Sequence, residues 1–385
     1  MAEPPRTPEF AATEARAVAG RILGVPVSDV DFTVSAVSYV ELNPVSAGVR
    51  RVAGTAATPG GAAPWSAVVK TCARPSDEAM RRVPPAEHET FNDVFRWDRE
   101  PRAYESGLLD ELPDGVAAPR CFGITREERS ARIWLEDLGD DRATWDAARY
   151  ALAARHLGRL GGAYLAGRPH PRGDWLSRDW IRRWTVYFTR TASEILADDR
   201  VWSHRAVVAE FDPTAREDLC GLVQARERIF EALDELPRTF THMDAFRANM
   251  VSRGRDDQTE TVLLDWANAG IGPLGADLAH LVVASIFYYG DDLDPVELEA
   301  LTIPAFAAGL ADVGYRIDQG SVEHAYAVNA IARMSLVLGP LAAIGDPVRE
   351  QAVARAVHRP FPETVALLGA RTRYLCALSR RVDLD

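Results

Sequence analysis

Thr241-His242-Met243-Asp244-Ala245-Phe246-Arg247-Ala248-Asn249, followed after a polar interval by Thr261-Val262-Leu263-Leu264-Asp265-Trp266, is the stretch that decides how the rest of the chain reads. Two short strand-like runs, Met250 to Ser252 and Val262 to Leu264, flank Arg253-Gly254-Arg255-Asp256-Asp257-Gln258-Thr259-Glu260, a polar connection with one glycine. That is the pattern of a hairpin with a long loop. With Val251 opposite Leu263, Asn249 falls opposite Asp265. Directly opposed residues of an antiparallel pair have Cα atoms roughly 4.5 to 5.5 Å apart, close enough for an amide oxygen and a carboxylate to share one cation. Hard oxygen ligands, few in number, point to Mg²⁺, which keeps positions for phosphate oxygens and water.

The His-x-Asp-x4-Asn spacing is that of a loop that transfers a phosphoryl group to a hydroxyl. In that chemistry Asp244 accepts the acceptor's proton, Asn249 holds Mg²⁺ and Asp265 is a second metal ligand, while His242 holds the loop's backbone. Such a site also needs a strand lysine and a helix glutamate upstream. Lys70 ends the run Trp65-Ser66-Ala67-Val68-Val69-Lys70, and it is the only lysine in the chain. A site that keeps a compact ammonium among so many arginines is one where the guanidinium fork would not serve; on position alone the same residue reads as a solvated edge-strand lysine. In the helical segment that follows, Glu100 is the candidate to pair with Lys70 and Glu105 its rival, against the plainer reading of a solvated helix face. Trp134-Leu135-Glu136-Asp137-Leu138 lies where strands give way to helices, which in a two-lobed kinase is the hinge whose backbone groups face adenine, with Glu136 and Leu138 as the contacts; structurally the same sequence could simply end an edge strand.

Composition narrows the class. The chain has 385 residues, 47% of them hydrophobic, enough for two packed lobes. A net charge of -12 is unfavourable for generic nucleic-acid binding and favours a cationic substrate. Cys72, Cys121, Cys220 and Cys376 have no Cys-x-x-Cys spacing, so they read as reduced core thiols and not as a zinc site or disulfide framework. Glu3, Glu9, Glu14 and Arg16 interrupt the N-terminal segment, which lacks the apolar core of a secretory signal, and Thr7-Pro8-Glu9 suggests a helix start. The longest apolar run, Leu281 to Tyr289, falls well short of the roughly 18 residues of a membrane span. The expectation is a cytoplasmic protein without membrane or nucleic-acid partners, its oligomeric state left open.

Strand and turn signals dominate the first third: Val34 to Leu42, Gly48 to Gly54 and Trp65 to Thr71, then, after a helix over Glu87 to Leu109, Ala117 to Gly123 and Arg132 to Leu135. Helical periodicity takes over after Glu136, with helices expected around Ala153 to Tyr164 and over Trp175 to Ala197, Thr214 to Leu236, Pro295 to Gly309, Val322 to Leu338 and Asp346 to Leu378, the last broken near Pro360 and Pro362. The fold class is therefore α+β, with an N-terminal lobe over 1–135 built on a small antiparallel sheet and a larger, mainly helical lobe over 136–385.

In this order, Lys70, Glu100, the Glu136 segment and the Asp244 to Asp265 block resemble the aminoglycoside phosphotransferase and choline kinase-like superfamily, small-molecule kinases with a two-lobed protein-kinase-like fold. The resemblance runs roughly from Val34 to Val283, and only the Asp244 to Asp265 block is specific. It implies ATP and Mg²⁺ as cofactors, Asp244 as catalytic base, Asn249 and Asp265 as metal ligands, Lys70 and Glu100 as the phosphate-orienting pair, and Asp277 of Gly275-Ala276-Asp277-Leu278-Ala279 as a brace for the loop. The chain departs from the family pattern in carrying Met243 where glycine is common, in offering one glycine, Gly48, as its phosphate loop, and in continuing Trp266-Ala267-Asn268 after the metal aspartate. The acceptor implied is a hydroxyl on a small, cationic molecule such as an aminoglycoside-like antibiotic, an amino alcohol or a sugar. A Ser/Thr peptide kinase and a nucleotide-binding pseudokinase or interaction module are the alternatives. Trp175, Trp180, Trp184, Tyr187 and Trp202 read as core first and as acceptor pocket second, and Asp291, Asp292 and Asp294 as a solvated helix cap.

Overall fold

Five antiparallel strands in the order β1-β2-β3-β6-β5 make up the sheet of the first third: Asp29–Ala36 (β1), Ser46–Thr58 (β2), Gly61–Ala73 (β3), Cys121–Arg126 (β5) and Ser130–Glu136 (β6). The computed structural model describes residues 11–37, 43–139, 145–254, 259–289, 294–357 and 359–382. The expected helix start at Thr7-Pro8-Glu9, the end of the strand expected over Val34 to Leu42, the middle of the 253–260 connection, and Asp291 and Asp292 lie outside those residues.

Helix Ala12–Leu23 (α1) places Ala15, Val18 and Ala19 on one face, and these pack with Val52, Ala56, Trp65, Ala67, Val69 and Trp134 of the sheet. The i, i+3, i+4 spacing of small and branched residues is what lets a helix seat on a pleated surface. Glu14 adds a polar tie, accepting a hydrogen bond from the Trp134 indole at 2.8 Å. Strand periodicity sets Lys70 on the face opposite Val69 and Ala67, away from the one that α1 covers.

Two compact units emerge, Met1–Pro75 with Pro119–Asp140, and Ser76–Ala118 with Asp141–Asp385. A single boundary at 135/136 was expected; instead residues 76–118 belong with the helical unit. The reason lies in pairing. Val116–Ala117 (β4) has its ladder partner in Glu260–Leu263 (β9), far along the chain, and helix Arg99–Glu105 (α2) is anchored to residues of the same unit. The helix expected over Glu87 to Leu109 is interrupted as well, into His88–Val94 and Arg99–Glu105. Pro101 explains the break: it is tolerated in a first turn, whereas in a continuous helix its ring would meet the carbonyl of Trp97. Thr214 to Leu236 likewise divides, into Ala215–Gln224 and Arg226–Glu235.

The helical unit holds a three-stranded sheet, β4-β9-β8, with Met250–Arg253 as β8, and a two-stranded one of Arg238–Thr241 (β7) and Gly270–Pro273 (β10). Around them lie Ala147–Leu165 (α3), Trp180–Thr189 (α4), Ala276–Tyr289 (α5), Pro295–Asp312 (α6) and Gln319–Ala332 (α7), which with further helices enclose one large apolar core. Trp175 and Trp180 are buried in it as expected of core aromatics, while Trp184 and Trp202 pack at its margin. Cys72 and Cys376 are buried, but Cys121 is exposed at the start of β5, against the expectation of four core thiols. Among the described residues no helix is long and apolar enough to cross a membrane.

Candidate active site

Every residue of α5 from Ala276 to Ser285 is buried, and three of them are polar: Asp277, His280 and Ser285. A buried polar group must find a partner inside the protein, and each of these finds it in the loop that follows β7. The Asp277 carboxylate accepts the N–H of His242 at 2.9 Å and that of Met243 at 2.7 Å. His280 Nε2 lies 2.8 Å from Asp244 Oδ1, and the Ser285 hydroxyl accepts the Arg247 N–H at 3.2 Å. Three residues on an otherwise apolar helix thus fix successive parts of one loop. Burial pushes the Asp277 carboxyl above its ordinary value, against the opposing pull of the His242 and Met243 N–H donors.

His242 closes the loop on itself. Its Nδ1 accepts the Asp244 N–H at 3.3 Å, so its Nε2 carries the proton that it donates to the Leu264 carbonyl at 2.9 Å. The ring is fully buried against Trp266, with centroids 4.6 Å apart, and burial holds it below the ordinary histidine value. It is therefore a neutral structural bridge between the loop and the residue just before Asp265.

Met243 shows why glycine is common at its position: its φ is +67°, in the left-handed region. Two hydrogen bonds hold it there, its N–H on Asp277 and its carbonyl accepting from Arg333 Nη2 at 3.1 Å. The side chain is buried, and room for it comes from Gly272, where an added Cβ would lie 2.0 Å from Met243 Cε.

Asn249 and Asp265 do not stand in the register expected of them. Val251 lies opposite Val262 and Met250 opposite Leu263, so Asn249 faces Leu264, whose N–H donates to the Asn249 carbonyl at 2.8 Å. Asp265 is one residue beyond opposition. β9 is a central strand, flanked by β4 and β8, and its Thr261, Val262 and Leu263 are all buried, so no in-out alternation marks its register. Asp265 leaves the strand with φ +60° and caps the short turn Trp266–Asn268.

Asn249 Nδ2 donates to the Asp244 carbonyl and to Asp244 Oδ2, both at 3.0 Å. With its amide nitrogen committed there, the Asn249 Oδ1 is the atom left to ligate. Together with the Asp265 carboxylate it makes a small set of hard oxygen donors, which suits Mg²⁺. The Asp244 side chain keeps 26% of its surface exposed while Thr241, His242, Met243 and Ala245 are buried. Burial would raise its carboxyl, but the hydrogen bond from His280 leads the opposing effects and holds Asp244 below its ordinary value.

The remaining expected residues sit as follows. Lys70 is buried on β3, between Val49 of β2 and Ile133 of β6. Gly48 has φ +118° at a register shift in the β2–β3 ladder, an irregularity that a glycine accommodates. Glu136 ends β6 with its N–H already given to the Arg120 carbonyl at 2.8 Å, which removes that N–H from any adenine contact, and Leu138 lies half-buried beyond the strand. Glu100 is buried in α2 and Glu105 exposed.

Sequence reading missed His280, Arg333 and Arg99. Arg99 is fully buried and donates to the Trp175 carbonyl at 3.0 Å and the Ala267 carbonyl at 2.8 Å, tying the helix that carries Glu100 to the turn after Asp265. Burial lowers its guanidinium to about 10. A signal for His280 was present, since it falls three residues after Asp277 and thus on the same helix face. Nothing in the sequence marks Arg333 apart from the chain's many other arginines.

The chain matches the model of a phosphotransferase enzyme family over residues 69–312. Among curated proteins none matches it. Solved structures similar in fold include a microcompartment-associated aminopropanol kinase, with 14% identity, TM-score 0.49 and 94% of this chain and 98% of that one covered. An aminoglycoside phosphotransferase from Alicyclobacillus acidocaldarius shares 15% identity at TM-score 0.45, with 84% and 90% covered. An ethanolamine kinase of Plasmodium vivax shares 10% at TM-score 0.46, with 90% and 82% covered.

Proposed function

The chain belongs to the phosphotransferase enzyme family, and on that premise we propose that it transfers the γ-phosphoryl group of ATP to a hydroxyl of a small molecule, with Asp244 as catalytic base. The observation that carries this reading is the state of Asp244, a partly exposed carboxylate kept ionised and held through both oxygens, Oδ1 by His280 and Oδ2 by Asn249, on a loop whose neighbouring side chains are buried.

Asn249 and Asp265 would hold Mg²⁺, which when bound neutralises charge on the phosphate oxygens. Lys70 is assigned to the nucleotide's phosphates. Asp244 orients the acceptor hydroxyl in line with the γ-phosphorus. The acceptor oxygen bonds to that phosphorus as the bridging O–P bond breaks, the electron pair leaves with ADP, and the acceptor's proton passes to Asp244. Catalysis on this account is positioning and charge stabilisation. The net charge of -12 favours a cationic acceptor, such as an aminoglycoside-like antibiotic or an amino alcohol.

The test is Mg²⁺-dependent phosphorylation of a panel of aminoglycosides, amino alcohols, sugars and Ser-containing peptides, with Asp244→Ala alongside. Phosphorylation of one small-molecule class, lost in the variant, is expected. Transfer to peptides alone would replace the acceptor class, and tight MgATP binding with no transfer to anything would refute the reading.

A further inference from the structure

The His280 imidazole is the least explained polar group near the loop. It is 4% exposed, on an apolar stretch of helix, and its Nδ1 meets no hydrogen-bond partner among the described residues. The charged and titratable groups acting on it are Arg333, Asp244 and His242. An ionised carboxylate only accepts, so the 2.8 Å contact with Asp244 Oδ1 requires the proton on Nε2. The other tautomer would set a bare lone pair against the carboxylate and bury an unused N–H. Burial, reinforced by Arg333 and opposed by Asp244, lowers the ring to about 4, which keeps it neutral at pH 7.

Asn249 Nδ2 grips Asp244 Oδ2 and the Asp244 carbonyl from the strand side. His280 grips Oδ1 from helix α5, and the Phe246 ring packs edge-on against it with centroids 5.3 Å apart. Two donors from separate elements fix both the rotation and the tilt of the carboxylate plane, and a second lone pair on Oδ2 is left for an incoming hydroxyl. Nε2 already carries a proton, so His280 does not serve as its final acceptor. We propose that His280 is a positioning residue for the catalytic base, a neutral Nε2–H donor that holds the Asp244 carboxylate in the orientation that receives the acceptor's proton. The inference rests on the reading of Asp244 given above and adds a residue that the loop motif does not contain.

Two arms test it, both on the full-length protein. In the first, imidazole-¹⁵N-labelled protein is examined by long-range ¹H–¹⁵N correlation, and the His280 signal is assigned by its loss in His280→Gln. The expected signal is a neutral Nε2–H tautomer that stays neutral from pH 6 to pH 8 and shifts in Asp244→Ala; an Nδ1–H tautomer, or titration within that range, overturns the proposal. In the second, turnover of the best acceptor, or of water as acceptor if the panel yields none, is compared in His280→Phe and His280→Gln. The phenyl ring fills the space without a donor, and the glutamine amide places an N–H near the Nε2 position. The expected result is a fall in kcat of about 10- to 100-fold in His280→Phe with KM for ATP unchanged, largely restored in His280→Gln. Unchanged kcat in His280→Phe, or equal losses in both variants, contradicts it. Should His280→Phe fail to fold, the tautomer alone decides. Full activity in Asp244→Ala would instead remove the reading beneath the proposal, whatever tautomer His280 adopts.

Discussion

The loop around Asp244 and the strand around Gly48 are both irregular backbone carrying residues assigned to one reaction, yet they are held in different ways. The loop draws partners from α5, from Arg333 after α7 and from the end of β9, in buried and part-buried contacts that span 22 to 90 residues of sequence. Gly48 lies in the break of the β2–β3 ladder between the pairs Ser46↔Cys72 and Val49↔Lys70, and the nearest group an added Cβ would meet is the Arg50 side chain two residues on. A catalytic base has to keep its carboxylate within fractions of an ångström of one geometry, whereas a turn that cradles phosphate can trade backbone regularity for adaptability. Long-range buried hydrogen bonds mark the part that has to stay still.

The largest expected break comes at Asp277. Asp277→Ala orphans two buried backbone N–H groups at once, at about 1–3 kcal/mol each, so a loss of about 2–6 kcal/mol in urea unfolding is expected together with loss of turnover. A loss below about 1 kcal/mol would show that the loop does not depend on that carboxylate.

Next is the pair Met243 and Gly272. Gly272→Ala should destabilise the wild type and cost much less in a Met243→Gly background, where the Cε that its Cβ would meet is gone. A double-mutant cycle should give a coupling of about 1–2 kcal/mol. Additivity would mean that Met243 finds its room elsewhere. The single variant Met243→Gly relieves left-handed strain of about 1–2 kcal/mol but empties a buried site, so net destabilisation is expected.

Gly48→Ala probes the other region. With φ at +118°, the new side chain costs about 1–3 kcal/mol of local strain. The expected outcome is a raised KM for ATP with kcat little changed; a kcat loss as deep as that of Asp277→Ala would erase the distinction between the two regions.

Asp312 calibrates the smallest effect, as an exposed counterpart to buried Asp277. It bridges α3 and α6 by accepting from Arg155 and Arg159, each at 2.7 Å. The Arg155 hydrogen bond leads in lowering its carboxyl to about 2, with Arg159 helping against a burial effect of opposite sign. A depressed carboxyl contributes stability that is present above its ordinary value of 3.8 and is lost as pH falls through about 2. Asp312→Asn should therefore cost about 1 kcal/mol or less at pH 7, a difference that shrinks between about pH 4 and pH 2 in urea midpoints.

Much of this was legible beforehand, for identifiable reasons. The sheet-rich beginning, the helical remainder and the nearness of Asn249 to Asp244 rest on local spacing. The register of β9 was not legible, because a strand paired on both edges and buried over three successive residues, Thr261 to Leu263, shows no alternation. Nor were the two crossings at 75 and 118, since β4 finds its partner more than 140 residues later. The departure at Met243 was visible as a residue, but its backbone angle was not. His280 was legible only as a position on a helix face, and its partner appears once the loop is folded against that face.

The central claim is that Asp244 serves the transfer step and not nucleotide binding. With whichever acceptor the wild type phosphorylates best, kcat and the Kd for MgATP are to be measured side by side in wild type and Asp244→Ala. If Asp244 serves the transfer, kcat falls by about 10²- to 10⁴-fold with the Kd unchanged within a few-fold; a kcat within tenfold of wild type, or a loss explained by weakened MgATP binding, would contradict that role.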